Sequence, residues 1–444
     1  MSLIGRSHRI GPAEFPGRDD IGRRELPAWP ILVLLWGMPA WWALGLLSFA
    51  AVAMALPMSA LLLHRGRVTV VPGVLPWIAF VVWMLPCALT LESLSNVLGF
   101  SVRLSQFAAV AIALVYVINA RGALTVRRVL SGLTAFWVFV IVGGYLGMLF
   151  PDVTLTLTIG RLLPDSILAN DYVSDLVFPP LAEIQTPFGA SEPFLRPSAP
   201  FAYTNGWGAA MAILTPVVVA AAIERRTAAA MVWLMIGLLA SIAPAIATTN
   251  RGLFVGLVAS VTYVLVRLLV RGKILPFLWV GALGFALLVI LILSGLLEGI
   301  TERQDIVDTT EGRGGLYAET FERTLLSPLL GYGAPRPSFT SEISVGTQGA
   351  IWNAMFCFGF VGLGLFAIFM IGGLMRTWSA PNVAALWLHS AIVSACLMSV
   401  FYGLDRHMLA ICLVLGVMLR ERYAATSSFW TSSPVRELGR RVPS

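Results

Sequence analysis

The chain has 444 residues, 58% of them hydrophobic and only 12% charged, with a mean hydropathy of +0.84. Soluble domains carry about 25% charged residues, so this composition excludes an ordinary water-soluble enzyme and points to an integral membrane protein. The formal charge of +7 does not imply a nucleic-acid partner, because the arginines gather in turns between apolar runs.

Residues 1–28 form a polar tail with Arg6, Arg9, Arg18, Arg23 and Arg24. No short apolar core precedes small residues there, so the tail does not read as a cleavable signal peptide. The positive-inside rule puts it in the cytoplasm. Apolar runs able to cross about 30 Å of hydrocarbon as helices follow at about 29–45, 46–63, 73–91, 97–118, 129–150, 204–223, 228–247, 252–270, 276–297, 350–374, 383–402 and 407–419. The expected fold is therefore an all-α integral membrane protein of about twelve transmembrane helices. Both termini are cytoplasmic, the membrane domain spans 29–423, and a second tail covers 424–444.

Every even-numbered span ends in a basic turn: Arg65/Arg67, Arg121/Arg127/Arg128, Arg225/Arg226, Arg267/Arg271/Lys273, Arg376 and Arg420/Arg422. The parity hangs on Trp29–Leu63, which fits one long span or a tight hairpin. Two short spans are favoured, with Pro39, Trp41 and Trp42 near the outer turn, since a single span would put all the basic turns outside.

Two long outer loops remain, 151–203 and 298–349. Between Glu298 and Gln348 a mostly apolar chain gathers eight acidic residues and four arginines. Loops this long and polar are usually functional. Within the second loop, residues 314–326 set Leu316, Ala318, Phe321 and Leu325 roughly on one side, which predicts an amphipathic helix at the membrane surface. The cytoplasmic connections leave no room for a nucleotide-binding domain, and no Gly-rich phosphate loop occurs, so no cofactor is expected.

Cys87, Cys357, Cys396 and Cys412 all fall inside spans and give no disulfide framework for the loops. The four histidines make no i, i+4 pair, and His389 reads as a packed interior residue. Asp305, Asp308 and Glu311 read as solvated more readily than as a divalent-ion site, so no metal is expected.

Two arginines lie where arginine is costly. Arg251 follows Thr248-Thr249-Asn250 at a tight outer turn; Arg103 lies a third of the way along the fourth span, which has no acidic residue. Such cations must snorkel, pair or face a cavity. Their lack of anions in the same spans suggests a ligand anion, and a guanidinium-lined outward cavity suits phosphate.

Four motifs in order resemble the O-antigen ligase and O-antigen polymerase family of polytopic membrane glycosyltransferases, which have a GT-C-like architecture. Arg196-Pro-Ser-Ala-Pro-Phe-Ala-Tyr-Thr-Asn205 is similar to the family's R-x-x-G…N entry to a span, with Ala199 in place of glycine. Thr248-Thr249-Asn250-Arg251-Gly252 is similar to its T-x-S-R-G turn. Gly312-Arg313-Gly-Gly-Leu-Tyr317, followed by Ser327-Pro-Leu-Leu-Gly-Tyr-Gly333, is similar to its R…W…P-L-x-G-x-G run. Gln348-Gly349, ahead of Gly359, stands where the family has H-N…G. The resemblance covers about 190–375, and the N-terminal half matches by span count alone.

It implies a metal-independent transferase on the outer side of the cytoplasmic membrane. The donor is a glycan on undecaprenyl diphosphate, the acceptor a saccharide or glycolipid, and the surrounding partner membrane lipid. Arg251 and Arg313 would hold the diphosphate, with Arg196 and Arg103 as further cations and Asn205 and Tyr317 as other substrate contacts. Fixed guanidinium groups stabilise a departing diphosphate in a partly dry cavity. Gln348 stands where the family has its proposed base, but an amide is not basic near neutral pH and only orients by hydrogen bonds. That leaves a carboxylate base, Glu319 or Glu342, or late proton loss to phosphate or water, which is favoured. The rival reading is a transporter or flippase, which would share the span count; its usual midplane acids and matching halves are missing. Ligase and polymerase differ only in an acceptor the sequence does not show.

Overall fold

The computed structural model describes residues 25–185, 194–293, 309–340 and 343–431. It is mostly helical, at 73%. The first helices are α1 (Trp29–Trp36), α2 (Met38–Ala43), α3 (Ala50–Arg65), α4 (Leu75–Cys87), α5 (Leu94–Asn119) and α6 (Val126–Leu149). The short α7 (Asp165–Leu168) and α8 (Asp171–Val177) then precede strands β1 (Ala182–Gln185) and β2 (Phe194–Pro197). Next come α9 (Thr204–Arg225), α10 (Ala228–Ala247), α11 (Arg251–Val270) and α12 (Ile274–Leu293), followed by α13 (Thr309–Leu326), α14 (Ala350–Arg376), α15 (Val383–Phe401) and α16 (Met408–Thr431).

Eight helices among the described residues are long and apolar enough to cross a membrane, and they make this a helical membrane protein. The other expected spans also contain helix, but shorter or more polar. The run at 29–45 breaks at Gly37, where a Cβ would lie 2.4 Å from the Val33 carbonyl oxygen. The expectation of pure helix needs one correction. The segment 151–203, expected as a loop, contains an antiparallel two-stranded sheet that sets Glu183 opposite Arg196. The tails 1–24 and 432–444, and residues 186–193, 294–308 and 341–342, lie outside the described residues.

α9 is the central helix, packed against α6, α10, α11 and α15. Its sequence GWGAAMA gives a small-residue face for close approach: a Cβ at Gly208 would fall 2.2 Å from the Asn250 amide nitrogen. A second packing centre joins α4, α5 and α14 through rings, with Trp77 at 4.9 Å from Phe369 and 5.2 Å from Phe107.

The basic turns gather at one end of the bundle, where their arginines bond to backbone carbonyls of helix C-termini and of the turns between helices. Arg65 reaches Asn119 O at 2.6 Å, Arg127 reaches Glu224 O at 3.3 Å, and Arg271 reaches Ala380 O at 2.7 Å. The fully buried Arg420 reaches Val117 O at 2.9 Å and Leu124 O at 2.6 Å. Carbonyls at helix C-termini lack intrahelical partners and carry partial negative charge, so cations belong there.

At the opposite end α14 is broken. Gly359 has φ 69° and ψ −174°, inside an otherwise continuous helix. The break frees backbone groups that the segment Ser327–Gly333 satisfies. Tyr332 N–H donates to Phe356 O at 2.9 Å, Gly333 N–H to Cys357 O at 2.8 Å, and Phe360 N–H to Pro328 O at 2.8 Å. Trp83 of α4 donates to Phe358 O at 3.0 Å. Non-helical backbone at membrane depth survives only when protein satisfies it in this way. Gly331 and Gly333 both have positive φ, and a Cβ at Gly331 would lie 2.5 Å from Phe356 O. The two glycines of the SPLLGYG motif therefore dock this loop onto a broken helix.

Candidate functional site

Three of the motif segments meet at the end of the bundle away from the basic turns. Glu183 on β1 accepts from the Thr204 N–H at 3.0 Å, which caps α9 with a carboxylate. Across the hairpin Arg196, 6% exposed, donates from Nε to Thr248 O at 2.9 Å. Thr204 donates its hydroxyl back to Arg196 O at 3.2 Å. These bonds tie the Arg196–Asn205 motif to the Thr248–Gly252 turn. Asn205 itself is exposed on the first turn of α9.

Asn250 is the knot of that turn. Its Oδ1 caps α11 by accepting from Leu253 N–H at 3.2 Å, and its Nδ2 donates to Thr204 O at 3.3 Å. The same Oδ1 accepts from the Tyr402 hydroxyl, which in turn accepts from Gly252 N–H at 3.1 Å. Only glycine fits at 252, since a Cβ there would sit 2.2 Å from the Tyr402 ring. Arg251 is thereby placed, half-buried, at the first position of α11.

Tyr402 carries the connection onward. Its carbonyl accepts from Ala350 N–H at 2.9 Å, just after Gln348-Gly349, and a Cβ at Gly349 would meet Val400 O at 2.4 Å. Trp352 donates to Val400 O at 3.0 Å, and Tyr317 of α13 stacks on Trp352 with ring centroids 4.3 Å apart. The Tyr317 hydroxyl is buried and has no hydrogen-bond partner among the described residues.

Gln348 is buried and closes its own turn: Nε2 donates to Ser344 O at 2.8 Å and to Thr347 Oγ1 at 3.0 Å, while Oε1 accepts from Thr347 N–H at 3.2 Å. That geometry makes it a backbone clip. Glu319 is similarly occupied. It accepts from Ser338 Oγ at 2.5 Å, from Phe339 N–H at 3.1 Å and from Arg323 at 3.1 Å. Burial pushes its carboxyl up, but those donors outweigh burial and hold it below the usual carboxylate range. A carboxylate so held is a weak base, and here it pins the loop 337–340 to α13.

The expected helix over 314–326 lies within α13. Leu316, Thr320 and Thr324 are its buried stripe, while Phe321 and Leu325 are exposed. The side chain of Arg313, together with Asp305, Asp308, Glu342 and the side chain of Glu311, lies outside the described residues.

Arg103 corrects the expectation of a missing anion. It is 7% exposed, and its Nε meets Asp405 Oδ2 at 3.0 Å. The partner stands 302 positions away in the turn before α16, so Arg103 has a protein anion and its burial requires no ligand. A second unexpected pair joins Arg336 to Glu92, with Arg336 Nη2 also donating to Thr90 O at 2.9 Å. Asp405 lies outside the span of Arg103, and Glu92 lies outside the loop of Arg336. For Arg103 the visible signal was an arginine inside a span without an acidic residue, which required a distant partner.

Asp405 and Arg406 line a narrow cleft with about 50 Å³ of interior space, together with Asp175 of α8, Gln106 of α5 and Pro200–Ala202. Beside the mouth the Arg406 guanidinium lies 5.5 Å from the Tyr203 ring and 6.0 Å from the Tyr172 ring. Tyr203 donates to Asp175. Burial first, then that bond, push the phenol up, so it stays a donor. A larger, almost wholly apolar groove of about 440 Å³ lies among α9, α10, α11 and α12, with Leu253 and Phe254 on its wall.

No known family model matches the chain, and no curated protein matches it closely enough to count as a relative.

Proposed function

We propose that this protein is a membrane glycosyltransferase of the O-antigen ligase or polymerase kind. It moves a glycan from undecaprenyl diphosphate to an acceptor saccharide or glycolipid. The observation that carries this reading is the hydrogen-bonded knot of Asn250, Gly252, Tyr402 and Thr204, which brings the motif turns together and seats Arg251 at the start of α11. An arginine at a helix N-terminus suits a diphosphate. The apolar groove that begins two residues further along the same helix, at Leu253 and Phe254, suits a polyprenyl tail. In this reading Arg251 and Arg313 stabilise the leaving diphosphate, Arg196 braces the Arg251 turn, and the acceptor proton leaves late, because Glu319 and Gln348 are held by their own loops.

The reading also assigns sidedness. The basic end faces the cytoplasm and the motif end the outer side of the cytoplasmic membrane, with about twelve crossings. Thr347→Cys, exposed at the motif end, is then labelled by an impermeant thiol reagent added to cells, and Thr227→Cys, exposed at the basic end, is not.

The deciding experiment places the purified protein in liposomes with an undecaprenyl-diphosphate-linked glycan and an acceptor saccharide. Transfer releases undecaprenyl diphosphate and lengthens the acceptor. Movement of the donor across the bilayer without release would establish a flippase instead. In cells lacking the gene, accumulated single repeats indicate a polymerase and accumulated full-length chains a ligase.

A further inference from the structure

The turn between α5 and α6 meets the turn between α9 and α10 at the basic end of the bundle, and together they hold four exposed arginines, Arg127, Arg128, Arg225 and Arg226. Arg127 donates from Nη2 to Glu224 O at 3.3 Å, and Arg225 donates from Nη2 to Ser131 Oγ at 3.2 Å, which interlocks the turns. Arg128 donates to Ala123 O at 2.6 Å. A guanidinium carries five N–H donors, so one bond to a neutral oxygen leaves most of them unmatched. Two carboxylates border these turns, Glu224 and, beside Gly122, Glu25. Among the described residues neither forms an ion pair with any of the four.

The other basic turns are built differently. Arg271 and Arg420 each bond to two backbone carbonyls, and Arg121 pairs with Glu421. Arg127 and Arg128 instead lie in the first turn of α6, where the helix dipole repels a cation and no acidic residue stands. Arg226 is held at φ 52° as the left-handed C-cap of α9, a position that suits glycine. Four like charges on two interlocked turns repel one another, and an anion among them relieves that repulsion. Arginine forks match phosphate oxygens in particular.

The apolar surface beside the cluster tells a lipid phosphate from a free one. α6 and α10 pack together, with the Tyr145 hydroxyl donating to Ala240 O at 2.8 Å and a Cβ at Gly237 falling 2.5 Å from the Trp137 ring. Val138 and Val142 of α6 and Val232, Trp233 and Ile236 of α10 are exposed. Trp233 follows Arg226 by seven residues, about 10 Å of helix. A free anion would use only the arginines, whereas a phospholipid uses the arginines for its headgroup and the apolar strip for its chains.

We propose that Arg127, Arg128, Arg225 and Arg226 form a binding site for the phosphate of an anionic phospholipid, whose acyl chains lie along α6 and α10. On the sidedness given above the lipid belongs to the cytoplasmic leaflet. The site is independent of the reaction assigned to the opposite end of the bundle.

The test takes the full-length protein from nanodiscs of equal phosphatidylglycerol and phosphatidylcholine into mild detergent and counts retained lipid by native mass spectrometry. Phosphatidylglycerol should be retained at least tenfold over phosphatidylcholine. An arginine near an anionic lipid surface is worth about fivefold in binding, so Arg128→Gln/Arg226→Gln should lower retention at least tenfold. Arg67→Gln/Lys273→Gln, which removes the same charge from other exposed basic turns, should retain the lipid as the wild type does. Arg226→Gly should also lose lipid, yet melt no lower than the wild type in phosphatidylcholine alone, because glycine takes the left-handed conformation freely. Equal retention of the two lipids, or equal losses in the two charge-matched variants, would overturn the site. Displacement of the lipid by millimolar inorganic phosphate would make it a free-anion site instead, and a lower midpoint for Arg226→Gly would assign that arginine to the fold and not to the lipid.

Discussion

Arg103 Nε lies 3.0 Å from Asp405 Oδ2, an ion pair linking the N-terminal half of α5 to the turn before α16, with side chains only 8% and 19% exposed. Removing one member of such a pair leaves the other charge buried, which costs about 3 kcal/mol, whereas removing both costs less. Asp405→Asn should therefore lower the thermal midpoint in detergent more than the double variant Arg103→Gln/Asp405→Asn does. Equal or additive losses would show that the pair contributes little to the fold.

The break in α14 gives a prediction with an internal control. A Cβ at Gly359 would lie 2.1 Å from Leu329 O, at a φ/ψ that essentially only glycine adopts. Gly359→Ala should cost on the order of 3 kcal/mol and sharply reduce folded protein. Gly364, five residues further along the helix, has open space at its Cβ position. Gly364→Ala should be neutral or stabilising by up to about 1 kcal/mol. Size-exclusion profiles and melting curves of the two variants decide the matter; similar behaviour would remove the docking role assigned to Gly359.

Glu319 gives a pH dependence. Its folded carboxyl is held below the ordinary value of 4.5 by Ser338, Phe339 N–H and Arg323. A depressed folded pKa means that the contribution is complete above the unfolded value and is lost as pH falls through the folded one. Hydrogen exchange at 337–340 should stay slow from neutral pH down to about 4.5, then accelerate below it. In Glu319→Gln it should be fast throughout and insensitive to acid. Protection that disappears near pH 6 would point to a different clamp.

The proposed chemistry makes arginines outweigh the groups already held by their own loops. Removing one charge-stabilising donor costs about two to three orders of magnitude in rate. Arg251→Ala and Arg313→Ala should each lose about that much transfer, while Gln348→Ala, whose amide closes its own turn, should lose clearly less. Initial rates of undecaprenyl diphosphate release measure this. If Glu319→Gln abolished transfer while Arg313→Ala kept most of it, a carboxylate base would replace the diphosphate clamp.

The sequence by itself determined the membrane class, the basic end and the helix over 314–326, because these follow from local composition: apolar runs need helical backbone, and arginines prefer helix C-termini beside water. The motifs that carry the family resemblance also contain Gly252, Gly331, Gly333 and Gly359. Tertiary structure alone decided what those glycines approach and which anions meet the buried arginines. Arg103 finds Asp405 and Arg336 finds Glu92 across separations of 302 and 244 residues, beyond the reach of any local pattern. The same holds for Glu319 and Gln348, whose residue types suit chemistry but whose hydrogen bonds go to neighbouring backbone. Periodicity and composition are properties of neighbours in sequence; pairing and burial are properties of neighbours in space.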